Sequence, residues 1–166
     1  QNPSNLLVDS PKNITAVYQR AYYLKLISGY GTAQGEGWYI EEATANPTVS
    51  PEVVQIAEGT KAIFRGWNAS FPISMDGPKT LVANWEVQHL AEAYTSIGNI
   101  EGTGWYIEGT NAILKLSQTV SELENSTRFS FASWDDGSTE NPRTIMVNSP
   151  VKLRATWRTE YLISIH

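Results

Sequence analysis

The sequence predicts a mainly β protein built of small β-rich modules in tandem, each with room for one short helix, set end to end as a rod. Three observations predict it. The chain repeats itself: Gly37-Trp38-Tyr39-Ile40-Glu41 recurs 67 residues later as Gly104-Trp105-Tyr106-Ile107-Glu108, and the same shift carries Thr60 onto Thr127, Phe64 onto Phe131, Trp67 onto Trp134 and Tyr18 onto Trp85. After Trp134 the offset becomes 72, aligning Met75 with Val147, Pro78 with Pro150, Ala83 with Ala155 and Trp85 with Trp157. A unit of this length is a small domain rather than a turn of a solenoid, whose units run about 20–50 residues. Second, apolar residues alternate with polar ones, as a half-buried strand requires. Third, each alternating run that closes a unit follows a tight-turn signature, Asp9-Ser10-Pro11, Asp76-Gly77-Pro78 or Asn148-Ser149-Pro150.

These matches divide the chain into a hairpin from the end of a preceding repeat (residues 1–18), a first full repeat (19–88), a second (89–158) and the first strand of a following one (159–166). The chain also begins at Gln1 with no methionine, and it therefore reads as a processed chain or a piece of a larger one. Within the first repeat, strands are expected at 22–28, 43–49 and 61–67, with counterparts 67 residues on. The closing strand presents Leu81, Ala83 and Trp85 on one face, as Leu153, Ala155 and Trp157 do in the second repeat and Ile14, Ala16 and Tyr18 in the leading fragment. Ser50-Pro51-Glu52-Val53-Val54-Gln55-Ile56 reads differently. Val53 and Ile56, like Val120 and Leu123, stand three apart after a serine, and in the first repeat a proline suits a first helical turn, so a short helix is expected there. The linker Trp85-Glu86-Val87-Gln88-His89-Leu90 has neither glycine nor proline and predicts limited flexibility between units.

Gly-Trp-Tyr, then Thr60 through Gly66-Trp67, then Met75-Asp76-Gly77-Pro78-Lys79 and Ala83-Asn84-Trp85 resemble the divergent internalin-type B repeat, a tandem repeat of secreted and surface-anchored proteins of bacteria and archaea. The resemblance covers nearly the whole chain and is closer in the first repeat; in the second, Gly66 becomes Ser133 and Gly77-Pro78-Lys79 becomes Ser149-Pro150-Val151. It implies β-grasp-like modules, with sandwich-like packing as the alternative, that serve as spacers, stalks or adhesive elements. It implies no catalytic residues.

Composition narrows the function classes. The 166 residues carry a net charge of −5, with 12 basic residues dispersed singly, so no phosphate-tracking stripe exists and no nucleic-acid partner is expected. No apolar stretch approaches the roughly 18 residues of a membrane helix, and no membrane insertion is expected within this segment. Charged residues make up 17%, below the roughly 25% usual in soluble domains, while Ser and Thr fill 30 positions, a surface hydrated by hydroxyls. Without cysteine there is no disulfide framework and no thiolate metal site.

All six tryptophans, Trp38, Trp67, Trp85, Trp105, Trp134 and Trp157, fall on repeat-equivalent positions. A core position must recur in every unit whereas a ligand site need not, so they are read as the structural core, and Tyr39 and Tyr106, on the opposite strand face, as the exposed aromatics a glycan would meet. Three sequons make Asn13, Asn68 and Asn125 candidate N-glycosylation sites. The acidic loop Asp135-Asp136-Gly137-Ser138-Thr139-Glu140 lacks the spacing of a calcium-binding hand and reads as a solvated hairpin loop. His89 replaces the tyrosines at equivalent positions 22 and 161 and reads as a packing residue. No nucleophile, phosphate-loop or zinc motif occurs, and no catalytic residue, cofactor or metal is expected. The expectation is a structural segment of an extracellular or cell-surface tandem-repeat protein, in a stalk, surface layer or filament. Its expected partners are neighbouring repeats or other copies of itself, with surface glycans as a further class. The alternatives are an adhesin-type binding module and accessory repeats of a secreted hydrolase.

Overall fold

The computed structural model describes residues 9–11, 13, 15–123 and 126–163. Among them there is no helix: the chain is all-β, in several sheets. The first repeat contributes β1 (Ala21–Ile27), β2 (Thr32–Gln34), β3 (Gly37–Ile40), β4 (Thr44–Ala45), β5 (Thr48–Ser50), β6 (Val53–Ala57), β7 (Thr60–Trp67) and β8 (Ile73–Ser74). A 16-residue strand, β9 (Lys79–Tyr94), runs from there into the second repeat. The rest are β10 (Ile100–Glu101), β11 (Gly104–Ile107), β12 (Thr110–Leu116), β13 (Val120–Leu123), β14 (Thr127–Trp134), β15 (Arg143–Val147) and β16 (Val151–Tyr161).

The principal ladders of the first repeat recur in the second in the same register. In the first, β1 lies between β3 (antiparallel, Leu24 opposite Gly37) and β9 (parallel, Leu24 opposite Lys79). In the second, the carboxyl half of β9 takes the role of β1, with Ala91 opposite both Gly104 of β11 and Val151 of β16. The antiparallel pair β7–β9, Trp67 opposite Ala83, becomes β14–β16, Trp134 opposite Ala155. Both pairs carry a register shift at the same place, between Phe64 and Gly66 and between Phe131 and Ser133. Each unit is thus a mixed sheet around a parallel pair, and β9 belongs to both units.

Small antiparallel sheets complete each repeat: β2–β5 and β4–β8 in the first, β10–β12–β15 in the second. The expected strand at 43–49 is divided into β4 and β5 at Asn46-Pro47, because proline has no amide proton for the ladder. Its counterpart β12, with Ile113-Leu114 at those positions, is continuous. Leu24, Ala45, Val49, Trp67, Ile73, Met75, Leu81 and Ala83, drawn from the main sheet and from both small ones, form the first core. Leu114, Leu116, Trp134, Leu153 and Ala155 form a second, with Ala91, Ala112 and Val147 beside it. Each fully buried large side chain among these, such as Leu24 or Leu114, contributes on the order of 1.5–3 kcal/mol.

One expectation is corrected. The short helix does not form: Val53 pairs opposite Ile63 and Val120 opposite Ser130, adding edge strands β6 and β13. Val53 and Ile56 are exposed, so they are not a buried helical stripe, and an exposed edge of β7 offers ladder bonds without the cost of nucleating a lone turn. Of the expected leading hairpin only part is described: residues 15–20 carry no strand, and Val17 and Tyr18 are exposed. At the equivalent position Trp85 packs on Phe64 of β7, and no strand plays the part of β7 for Tyr18 among the described residues. The remainder of that hairpin, at 1–8, 12 and 14, lies outside the described residues, as do Asn125 and residues 164–166.

Candidate functional site

The six tryptophans divide into three kinds. Trp67 and Trp134 are buried, 7% and 0% exposed, and each meets a phenylalanine edge-on, Phe64 at 5.7 Å and Phe131 at 5.6 Å. Their indole N–H groups donate to backbone carbonyls of Pro47 and Glu140. Trp85 and Trp157 are half-buried against the same phenylalanines, and their indoles donate to the hydroxyls of the equivalent residues Ser28 and Thr95, each at 3.1 Å.

Trp38 and Trp105 are not core residues: they are 74% and 38% exposed. It is Tyr39 and Tyr106 that point inward, each phenol donating to the carbonyl four residues earlier, Gly35 at 2.7 Å and Gly102 at 2.6 Å. Alternation along a strand dictates that Trp and Tyr neighbours face opposite ways, but not which one faces the core. A backbone acceptor within reach of the phenol makes the inward tyrosine inexpensive. Tyr30 packs edge-on against Trp85 at 5.5 Å.

The sequons fare differently. Asn13 is exposed in the irregular amino-terminal segment. Asn68 is exposed too, yet its backbone N–H donates to the Val82 carbonyl and its side-chain Oδ1 accepts the Val82 N–H at 2.8 Å. Asp135, 67 residues on, makes the same two bonds to Arg154. A position that is Asn in one unit and Asp in the other, with the same oxygen in the same bond, is a sheet-closing device, and only the Asn can carry a glycan. Asn68→Ala should lower stability by about 1 kcal/mol, whereas Asn68→Asp should be close to neutral, as read from urea unfolding midpoints.

The other carboxylates of the acidic loop are engaged by Arg143, which meets Asp136 at 3.1 Å and Glu140 at 3.2 Å. The Ser138 backbone N–H, first, and Arg143 hold the Asp136 carboxyl below its usual range. The loop is a closed ionic turn.

Chemistry-bearing side chains gather where the two repeats join. His89 and Thr60, both buried, share a hydrogen bond of 3.0 Å through Nδ1 and Oγ1. Nε2 of His89 is buried and unpartnered; Glu108 Oε2 lies 3.6 Å away, an electrostatic neighbour rather than a hydrogen bond. The Lys61 ammonium stands 4.0 Å above the Trp105 ring. Leu90 N–H donates to the Gly59 carbonyl and Glu108 N–H to Val87. Gly59 has φ +67°, and a Cβ there would lie 3.0 Å from Pro150, so the turn before β16 sits on the first repeat a few tenths of an ångström closer than a side chain would allow. Side chains from β7, β9 and the β11 strand end thus form one joint.

At the far end of β16 the equivalent strand positions hold charge. Ser130 hydroxyl, Arg128 and Arg158 all bond the Glu160 carboxylate, the first two at 2.7 Å, and these contacts lower its pKa from 4.5 to about 2. A carboxyl depressed in the folded state contributes stability above its ordinary pKa, and that contribution disappears as pH falls from about 4.5 towards 2. The urea midpoint should therefore fall more steeply over that window in the parent chain than in Glu160→Gln.

No protein-family model matches the sequence, and no curated protein matches it significantly. Among solved structures, Streptococcal High Identity Repeats in Tandem (SHIRT) domains 3-4 from a cell surface protein are similar over 86% of this chain and 99% of that one, at 16% identity and a TM-score of 0.29. A superposition that loose fixes neither fold nor function.

Proposed function

We propose that the chain is a non-catalytic structural segment of an extracellular or cell-surface tandem-repeat protein, in which two β modules, residues 19–88 and 89–158, act as a stiff spacer within a stalk, surface layer or filament. The observation that carries this reading is β9, the last strand of one unit and the first of the next, hydrogen-bonded on both sides across the joint. Bending there requires breaking ladder bonds to β7 or β11 rather than turning a loop. A surface rich in hydroxyls and poor in charge suits an exterior location. The exposed Trp38 ring beside Tyr23, 5.4 Å away, is the feature a glycan-binding module would use. Its counterpart Trp105 is covered by Lys61 at the joint, and that favours a packing role for this position.

The test exploits the absence of cysteine. Spin labels at Thr80→Cys and Thr144→Cys, both exposed strand positions, one in each repeat, should report a single narrow distance distribution. A broad or multimodal distribution would overturn the spacer reading.

A further inference from the structure

The joint between the repeats is reproduced, half-built, at the end of β16. Residue by residue, Ser126 stands for Gly59, Arg128 for Lys61, Glu160 for Gln88, Tyr161 for His89 and Leu162 for Leu90. The backbone already follows the template. Leu162 N–H donates to Ser126 as Leu90 does to Gly59, Thr127 lies opposite Tyr161 as Thr60 lies opposite His89, and Ser126 takes a positive φ of 56° where Gly59 has 67°. What covers this surface at the internal joint, β11 with Trp105 and the Pro150 turn, has no counterpart here among the described residues. Tyr161, Leu162 and Ile163 are 73%, 71% and 81% exposed, beside a groove of about 550 Å³.

The opposite end shows the complementary half. Among the described residues no cation stands above Trp38, which is about twice as exposed as Trp105. Tyr22, which stands where His89 and Tyr161 do, donates its phenol to Glu41 at 3.0 Å, and Glu41 stands where Glu108 does. Within this chain, then, the strand Gly-Trp-Tyr-Ile-Glu offers its glutamate to a strand-start tyrosine and its tryptophan to a cation on the preceding unit.

We propose that residues 126–128 and 160–163 are the seat of a further unit of this repeat, which takes 160–163 as its first strand, lays a Gly-Trp-Tyr-Ile-Glu strand antiparallel beside it, stacks that Trp on Arg128 and accepts the Tyr161 phenol on that Glu. The inference rests on the spacer reading and adds the partner and its contacts. Arg128 keeps its bond to Glu160 while stacking, because a guanidinium donates at its edge and stacks through its face.

The experiment joins residues 92–166 after residue 163 of the full chain, so that a copy of the second repeat continues from the seat. Hydrogen exchange at the amides of 161–163 should slow by about tenfold or more relative to the 166-residue chain. In the extended chain Arg128→Glu should reverse much of that protection, and Arg128→Lys, which restores the residue type of the internal joint, should keep it. A folded third unit with unchanged exchange at 161–163 overturns the seat, and so does a third unit that fails to fold, since its first strand would be the seat itself. Protection that appears in the 166-residue chain only as its concentration is raised would assign the surface to a second copy and overturn the proposed occupant. Failure of the spacer reading is separate: a broad distance distribution between residues 80 and 144 sinks that reading, whereas a narrow one with no protection sinks the seat alone.

Discussion

Trp134→Ala should destabilise the second repeat by about 3–5 kcal/mol and unfold it before the first. The ring is fully buried, packs on Phe131 within a cluster that includes Leu114, Leu116 and Leu153, and anchors the loop after β14 through its bond to the Glu140 carbonyl. Truncation empties the centre of a small core and leaves that carbonyl without its partner. Trp67→Ala should act likewise on the first repeat, whose cluster shares no buried residue with the other. Trp38→Ala, by contrast, should change stability by well under 1 kcal/mol, because an exposed side chain has little burial to lose. Thermal unfolding followed by repeat-specific NMR signals distinguishes these cases, and equal loss of both repeats in a Trp134 variant would mean a single cooperative core.

The second large effect is expected at the shared strand. Leu90→Pro removes the N–H that bonds the Gly59 carbonyl, in the middle of a strand paired on both sides. A proline in such a position should cost about 3 kcal/mol or more. It should also uncouple the repeats, turning overlapping thermal transitions into two separated ones and broadening the distance between residues 80 and 144. Leu90→Ala, which keeps the N–H, should leave the transitions overlapped. If both variants behave alike, the backbone bond is not what couples the units.

Much of this architecture is written in the repeat. The 67- and 72-residue offsets place Trp67, Trp134, Ala83 and Ala155 on equivalent strand positions, and the proline-bearing turns before Lys79 and Val151 mark where the closing strands begin. The side of the strand on which Trp38 lies was not legible, because period two sets only opposition; the phenol's acceptor, Gly35, is a feature of the folded backbone. Nor was the strand character of 53–57, since its partner β7 follows a two-residue turn and an apolar pair three apart fits a helix until that edge exists. The equivalence of Asn68 and Asp135 was within reach: the offset aligns them, and a shared side-chain oxygen at a strand end is a signal of bonding to backbone. The joint was legible only as a linker without glycine or proline. That His89 meets Thr60 and Glu108, and Lys61 meets Trp105, follows from strand pairing between segments tens of residues apart.

The parallel pairing of β1 with the closing strand decides how such a unit answers a pull on its ends. Tension enters at the amino end of β1 and leaves at the carboxyl end of the closing strand, so the two neighbours are drawn in opposite directions along their length. In an antiparallel hairpin pulled at its two free ends the bonds open one after another, like a zip. Here the four paired positions from Leu24–Lys79 to Ile27–Val82 are loaded in shear together, and the same holds from Ala91–Val151 to Tyr94–Arg154. Each repeat is therefore a clamp in series with the next, and the load crosses from one clamp to the other along the covalent backbone of β9.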